Sequence, residues 1–152
     1  MDAEVSLRDV QEADLEVFLR QEHDPEASRR ANFPPRERER FMTHWRENVL
    51  GDPDVFVQAI LAEGELAGNA VAWTEKDGRR FIGYWLGRPY WGRGIGTRAL
   101  TLFLERETHR PLYADPFEGN TGSVRLLEKL GFHRSGTVRH GEHEHVMLVL
   151  TE

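Results

Sequence analysis

Three glycines at alternate positions, Gly92, Gly94 and Gly96, stand in the segment Tyr90-Trp91-Gly92-Arg93-Gly94-Ile95-Gly96-Thr97. They follow a predicted strand and open a predicted helix. Glycine lets backbone approach a ligand closely, and the first amides of a helix have no internal partner. Those free N–H groups and the helix dipole together suit a phosphate or pyrophosphate. A tight strand-to-helix turn needs only one glycine, so three favour a ligand.

Two familiar phosphate binders can be weighed against this segment. Gly94-Ile95-Gly96-Thr97-Arg98-Ala99 matches the dinucleotide pattern G-x-G-x-x-A, and Asp115 follows at about the distance of that pattern's ribose acid. Against a dinucleotide-dependent oxidoreductase stands the stretch between Leu86 and the motif, which contains Pro89 where the turn should begin at once. The motif also falls late in a short chain, after what reads as an antiparallel meander. A nucleoside-triphosphatase loop fails, since no Gly-Lys-Ser/Thr follows.

The elements that must position this loop are legible from periodicity. Val5–Leu7 reads as a strand, and Leu15, Phe18 and Leu19 recur at helical spacing. The proline-bearing stretch 23–35 reads as a loop. Arg36–Leu50 is helical, with Phe41, Trp45 and Val49 on one stripe and Gly51 as a stop. Val55–Leu61, Leu66–Trp73 and Phe81–Leu86 form three strands with turns at Glu63-Gly64 and Asp77-Gly78. A helix over Gly94–Thr108, a strand over Pro111–Asp115 and a helix over Asn120–Leu130 follow, the last ending at Gly131. Two final strands, Phe132–Val138 and His145–Leu150, join at His140-Gly141. The order predicts one α/β domain of layered α+β type over residues 1–152, around a mixed sheet.

Composition narrows the function. The 152 residues suit one core, and the net charge of −6 argues against a nucleic-acid partner while tolerating a cationic or amine substrate. Cysteine is absent, which excludes disulfides, thiolate metal sites and a covalent Cys intermediate. There is no apolar run near the ~20 residues of a membrane span. The N-terminal MDAEVSLRDV lacks the features of a signal peptide, so the expectation is a cytoplasmic protein without a membrane partner.

A second motif stands downstream: Asn120-Thr-Gly-Ser123-Val-Arg125-Leu-Leu-Glu128-Lys129-Leu-Gly131-Phe132. Trp91-Gly92-Arg93-Gly94-Ile95-Gly96 resembles the Q/R-x-x-G-x-G/A pyrophosphate motif of the GCN5-related N-acetyltransferase (GNAT) family. The second motif resembles the N-x-x-S-x-R…E-K-x-G-F signature of the branch that includes ribosomal-protein N-terminal acetyltransferases. The resemblance is strong over roughly residues 80–132. It implies a mixed, mostly antiparallel sheet of about seven strands with helices on both faces, two neighbouring parallel strands splaying apart. Pantetheine of acetyl-CoA would pair with the backbone of Tyr84, Trp85 and Leu86. The amides of Gly92, Arg93, Gly94, Ile95, Gly96 and Thr97 would cradle the pyrophosphate, and Asn120 would contact pantetheine. Trp91 departs from the motif's Gln or Arg, which removes a side-chain contribution and leaves the backbone cradle.

The implied reaction is direct attack of an amine on a thioester, which needs a proton acceptor, donors for the thioester oxygen and an acid for the departing thiolate. Many family members carry a Tyr acid seven positions after the motif Asn; here that position is Leu127. Ser123 is the remaining acid candidate, or else a first-turn helix residue bonded locally. Asp115 matches the place where some relatives carry a catalytic Glu, and is equally an ordinary strand-end acid. Glu75 and His44 are further base candidates. His133, His140, His143 and His145 invite a zinc reading, since His143 and His145 share a strand face. With no Cys and no metal in the family, the expectation is strand or pocket histidines and no metal. The acceptor expected is a small-molecule or peptide amine, the state a monomer or homodimer. The rival is a non-catalytic CoA-binding or regulatory module on the same fold.

Overall fold

The computed structural model describes residues 4–152, so the first three residues of the expected leaderless N-terminus lie outside it. Seven strands form one sheet in the order β1-β2-β3-β4-β5-β7-β6. They are β1 Val5–Arg8, β2 Phe56–Ala62, β3 Glu65–Thr74, β4 Arg80–Leu86, β5 Leu112–Ala114, β6 His133–His140 and β7 His143–Leu150. Every neighbouring pair is antiparallel except β4 and β5. A single parallel pair leaves no place for the repeated parallel units of a dinucleotide fold.

Helices cover both faces. On one face lie α1, Asp14–Glu22, and α3, Arg38–Thr43, whose Leu15, Phe18, Phe41 and Met42 bury against β2 and β3. On the other lie α4, Ile95–Arg106, and α5, Thr121–Lys129, burying Ile95, Leu100, Phe103, Val124 and Leu127. Strand alternation sends Asn69, Val71 and Trp85 to the first face and Ala70, Ile82 and Tyr84 to the second.

Two segments differ from the sequence reading. The stretch 23–35, which reads as a loop, contains α2, Pro25–Ala31. Asp24 caps it by accepting from the Glu26 amide, Pro25 occupies the first turn, and Glu26 holds Arg29 and Arg30. Proline in a first turn starts a helix instead of breaking one. The second predicted helix is α3 followed by a wider π-helical stretch, His44–Val49. That widening still keeps Phe41, Trp45 and Val49 buried. The last two strands reach further toward their turn than expected, pairing His140 with His143.

The pairing of β4 with β5 is what shapes the site. It holds only for Arg80 with Leu112 and Phe81 with Tyr113. Arg80 and Glu107, both buried, pair there at 2.7 Å, and the Arg80 guanidinium also reaches Thr74 at 3.0 Å and the Asp54 carbonyl at 2.7 Å. Beyond Phe81, β4 runs on to Leu86 with no strand on that side, so the sheet opens into a wedge.

Candidate active site between two cavities

The glycine loop closes the open end of the wedge. After β4 a 3₁₀ turn, Arg88–Tyr90, leads to Trp91, whose indole donates to the Leu86 carbonyl at 2.8 Å. Gly92 and Gly94 have φ of +68° and +74°, where a side chain is strained, and Gly94 is the N-cap of α4. Gly96 serves a different need: a Cβ there would meet Leu126 Cδ1 at 2.9 Å, so its absence lets α4 pack on α5. The three glycines thus split between backbone conformation and helix packing.

A cavity of about 510 Å³ runs from this loop along β4 to α5. Its walls bring together Tyr84, Trp85 and Leu86, Gly92, Gly94, Ile95, Gly96 and Thr97, and Asn120 and Ser123. Arg93 turns away, its guanidinium donating to the Pro89 carbonyl at 3.4 Å. In place of the motif cation that Trp91 lacks, Arg30 of α2 lies 4.4 Å over the Trp91 ring and lines the same cavity. Arg125 and Lys129 add two more cations. A helix N-terminus flanked by three cations suits a phosphorylated ligand.

At the inner end, Asn120 caps α5, accepting from the Ser123 amide at 3.4 Å. The Tyr84 hydroxyl donates to Ser123 Oγ at 3.0 Å. Burial pushes the Tyr84 phenol up, and the Ser123 hydrogen bond only partly offsets that. Leu127, at the position of the family's Tyr acid, is 2% exposed and belongs to the core. The sequence reading took only backbone from Tyr84. Strand alternation, which puts Tyr84 on the same face as Ile82, was the signal that its side chain joins the α4–α5 side of the sheet.

A second cavity of about 560 Å³ lies on the opposite face of β4, and Tyr84 and Trp85 line both. Trp85 donates its indole N–H to the Gln21 carbonyl at 3.0 Å and meets Phe33 edge-on. His44 is in this second wall; burial, helped by Arg36, pushes its imidazole down and holds it neutral. Glu75 is elsewhere, accepting from the Trp73 indole at 2.9 Å.

Asp115 follows β5, two residues past the last position paired with β4, and lines neither cavity. His140 Nε2 lies 2.9 Å from its carboxylate, and His145 Nδ1 donates to its backbone carbonyl at 2.8 Å. Ligand-type atoms of Asp115, His140 and His145 lie within 4.8 Å of one another. The sequence reading paired His143 with His145. In the structure His143 instead packs edge-on against Phe117, and His140 arrives across the hairpin.

Against known proteins, the Acetyltransferase (GNAT) domain profile matches residues 4–133. The chain belongs to the GNAT acetyltransferase family. The GNAT chain is 44% identical over 64 residues to a probable N-acetyltransferase, YjcK, of Bacillus subtilis, covering 39% of this chain and 35% of that protein. It is 26% identical over 149 residues to the uncharacterized N-acetyltransferase p20 of Bacillus licheniformis, covering 89% and 82%. Among solved structures it superposes on aminoglycoside acetyltransferase AAC(6')-Ib in complex with coenzyme A, with a TM-score of 0.79, 25% identity and coverage of 97% and 95%. The same enzyme with paromomycin and acetyl-CoA gives a TM-score of 0.79, 25% identity and coverage of 97% and 93%. No helix among the described residues is long and apolar enough to cross a membrane.

Proposed function

We propose that this protein is an acetyl-CoA-dependent N-acetyltransferase that moves the acetyl group to a primary amine by direct attack in a ternary complex. The observation that carries the reading is the meeting of two cavities at Tyr84 and Trp85, one built for phosphates and the other apolar. Solved relatives on the same fold hold coenzyme A or acetyl-CoA, which supports the assignment of the first cavity. The signature from Asn120 to Phe132 favours the branch of ribosomal-protein N-terminal acetyltransferases. A cytoplasmic monomer or homodimer, with no metal, nucleic acid or membrane partner, completes the reading.

Bound acetyl-CoA supplies an acyl carbon activated as a thioester. The free amides of Gly94–Thr97, with Arg30, Arg125 and Lys129, balance its phosphates. The unpaired edge of β4 from Gly83 to Leu86 offers backbone groups to pantetheine. As the amine nitrogen bonds to the acyl carbon, the carbon–sulfur bond breaks and the sulfur needs a proton. Ser123 delivers it and is re-protonated from the Tyr84 hydroxyl, which burial keeps in its neutral form. That hydroxyl takes a proton back from water in the open cavity as the thiol leaves. The amine's own proton has an acceptor to hand in His44 of the second wall; Asp115 with His140 is a second candidate that stands outside both cavities at the end of β5. An amine that arrives neutral needs neither.

The buried Leu127 in the place of the usual Tyr favours the alternative of a non-catalytic CoA-binding module. Binding separates the cradle from other uses of the loop. Gly94→Ala adds only backbone strain, because its Cβ enters open space, with nothing nearer than Arg98 at 3.8 Å. Gly94→Glu adds the same strain plus a negative charge beside the pyrophosphate. Calorimetry with acetyl-CoA should find the Ala variant weakened modestly and the Glu variant by at least a further tenfold or so, with circular dichroism unchanged. Equal affinities for the two variants would remove the cradle from the account.

A further inference from the structure

The wall of the second cavity is rich in aromatic rings, with Phe33, Phe41, Trp45, Trp73 and Trp85 all contributing. Gly83 keeps its floor flat, since a Cβ there would touch the Trp73 ring at 3.3 Å. Asn69 enters from β3, beside Trp85 in register, and is only 6% exposed. Among the described residues its carboxamide has no protein partner. The Asn69 carboxamide, without a protein partner and opening into the cavity, is free to donate to and accept from a ligand's polar group there.

Charge in this cavity is as informative as shape. Its one buried carboxylate, Glu22, is taken up by Arg36, which approaches through its side chain at 2.6 Å and its backbone amide at 2.9 Å. Asp52 stands exposed and accepts from the Asp54 amide. His44 is held neutral. A polycation would therefore leave several ammonium groups stripped of water without a counter-charge, which is strongly unfavourable. A flat apolar body with a single amine would instead bury its faces on the rings. We propose that the acceptor is an arylalkylamine-type monoamine carrying a polar group that bonds Asn69, and not a polycationic aminoglycoside. This rests on the acetyltransferase reading and narrows it.

The test compares tryptamine and ribostamycin as acceptors with saturating acetyl-CoA, following kcat/KM and, by calorimetry, the affinity of each amine for the CoA complex. Tryptamine should exceed ribostamycin in kcat/KM by at least about tenfold, the factor that one good polar contact and one stacked ring can supply. Asn69→Ala should raise the tryptamine KM by about threefold to tenfold, with kcat and acetyl-CoA affinity little changed. Trp73→Leu, at a half-exposed position, should act in the same direction and serves if Asn69→Ala does not fold. Ribostamycin turned over as well as tryptamine would overturn the inference and leave the transferase reading standing. Tryptamine that neither binds nor reacts would overturn it too. Acetyl-CoA that binds while neither amine is acetylated, with tryptamine bound independently of Asn69, would count against both.

Discussion

At the scale of single residues, the proposed chemistry centres on the Tyr84–Ser123 pair. Its hydroxyls touch at 3.0 Å across two elements far apart in the chain, and the family's usual acid position is filled by core Leu127. Ser123→Ala should lower kcat at least tenfold or so with acetyl-CoA affinity little changed, as expected when a positioned donor is lost. Tyr84→Phe should have a similar effect, and the double variant should be no worse than the worse single one, because both act in one relay. With the Tyr84 phenol pushed up, its proton is still held above the ordinary value near 10, so this group should cause no alkaline fall in kcat below about pH 10. Steady-state kinetics on an active acceptor checks all of this. A kcat for Ser123→Ala within about twofold of the parent would return Ser123 to a helix role and leave water as the acid.

At the scale of elements, the wedge depends on a hinge that stays shut at one end. Arg80 and Glu107 are both buried where β4 and β5 still pair, and Glu107 also accepts from the His109 amide. Glu107→Gln removes the buried one of the two carboxylates on Arg80, leaving the exposed Asp54 at 3.2 Å, and should cost about 1.5–3 kcal/mol, the range for a lost charge-assisted bond. Urea unfolding should register that as a lower midpoint at unchanged slope. A midpoint within experimental error of the parent would show that the closed end is held by the apolar packing of Phe81 on Tyr113. The strands and α4 were readable because periodicity and turn pairs such as Glu63-Gly64 encode them locally. Helix α2 was not, because Pro25 was read as a loop signal although Asp24 before it and Glu26 after it form a helix start.

At the scale of the whole molecule, one sheet separates a cationic cavity from an aromatic one, and β4 is the wall they share. The loop half of the proposed site was legible because its alternate glycines and the helix start they precede lie together in the chain. The rest depends on residues that only folding brings together: Arg30 over Trp91, His140 beside Asp115, and Asn69 in register with Trp85. Such meetings leave no local pattern in a chain. The net charge of −6 likewise says nothing of the three cations gathered on the first cavity.

The most direct measurement of the central claim is mass spectrometry of a broad primary-amine library, incubated with the purified chain and acetyl-CoA. The account predicts that at least one amine gains a single acetyl group at a rate that Gly94→Glu abolishes, with free coenzyme A released in equal amount. A chain that binds acetyl-CoA tightly yet acetylates no amine in the library would contradict it and identify a CoA-binding module.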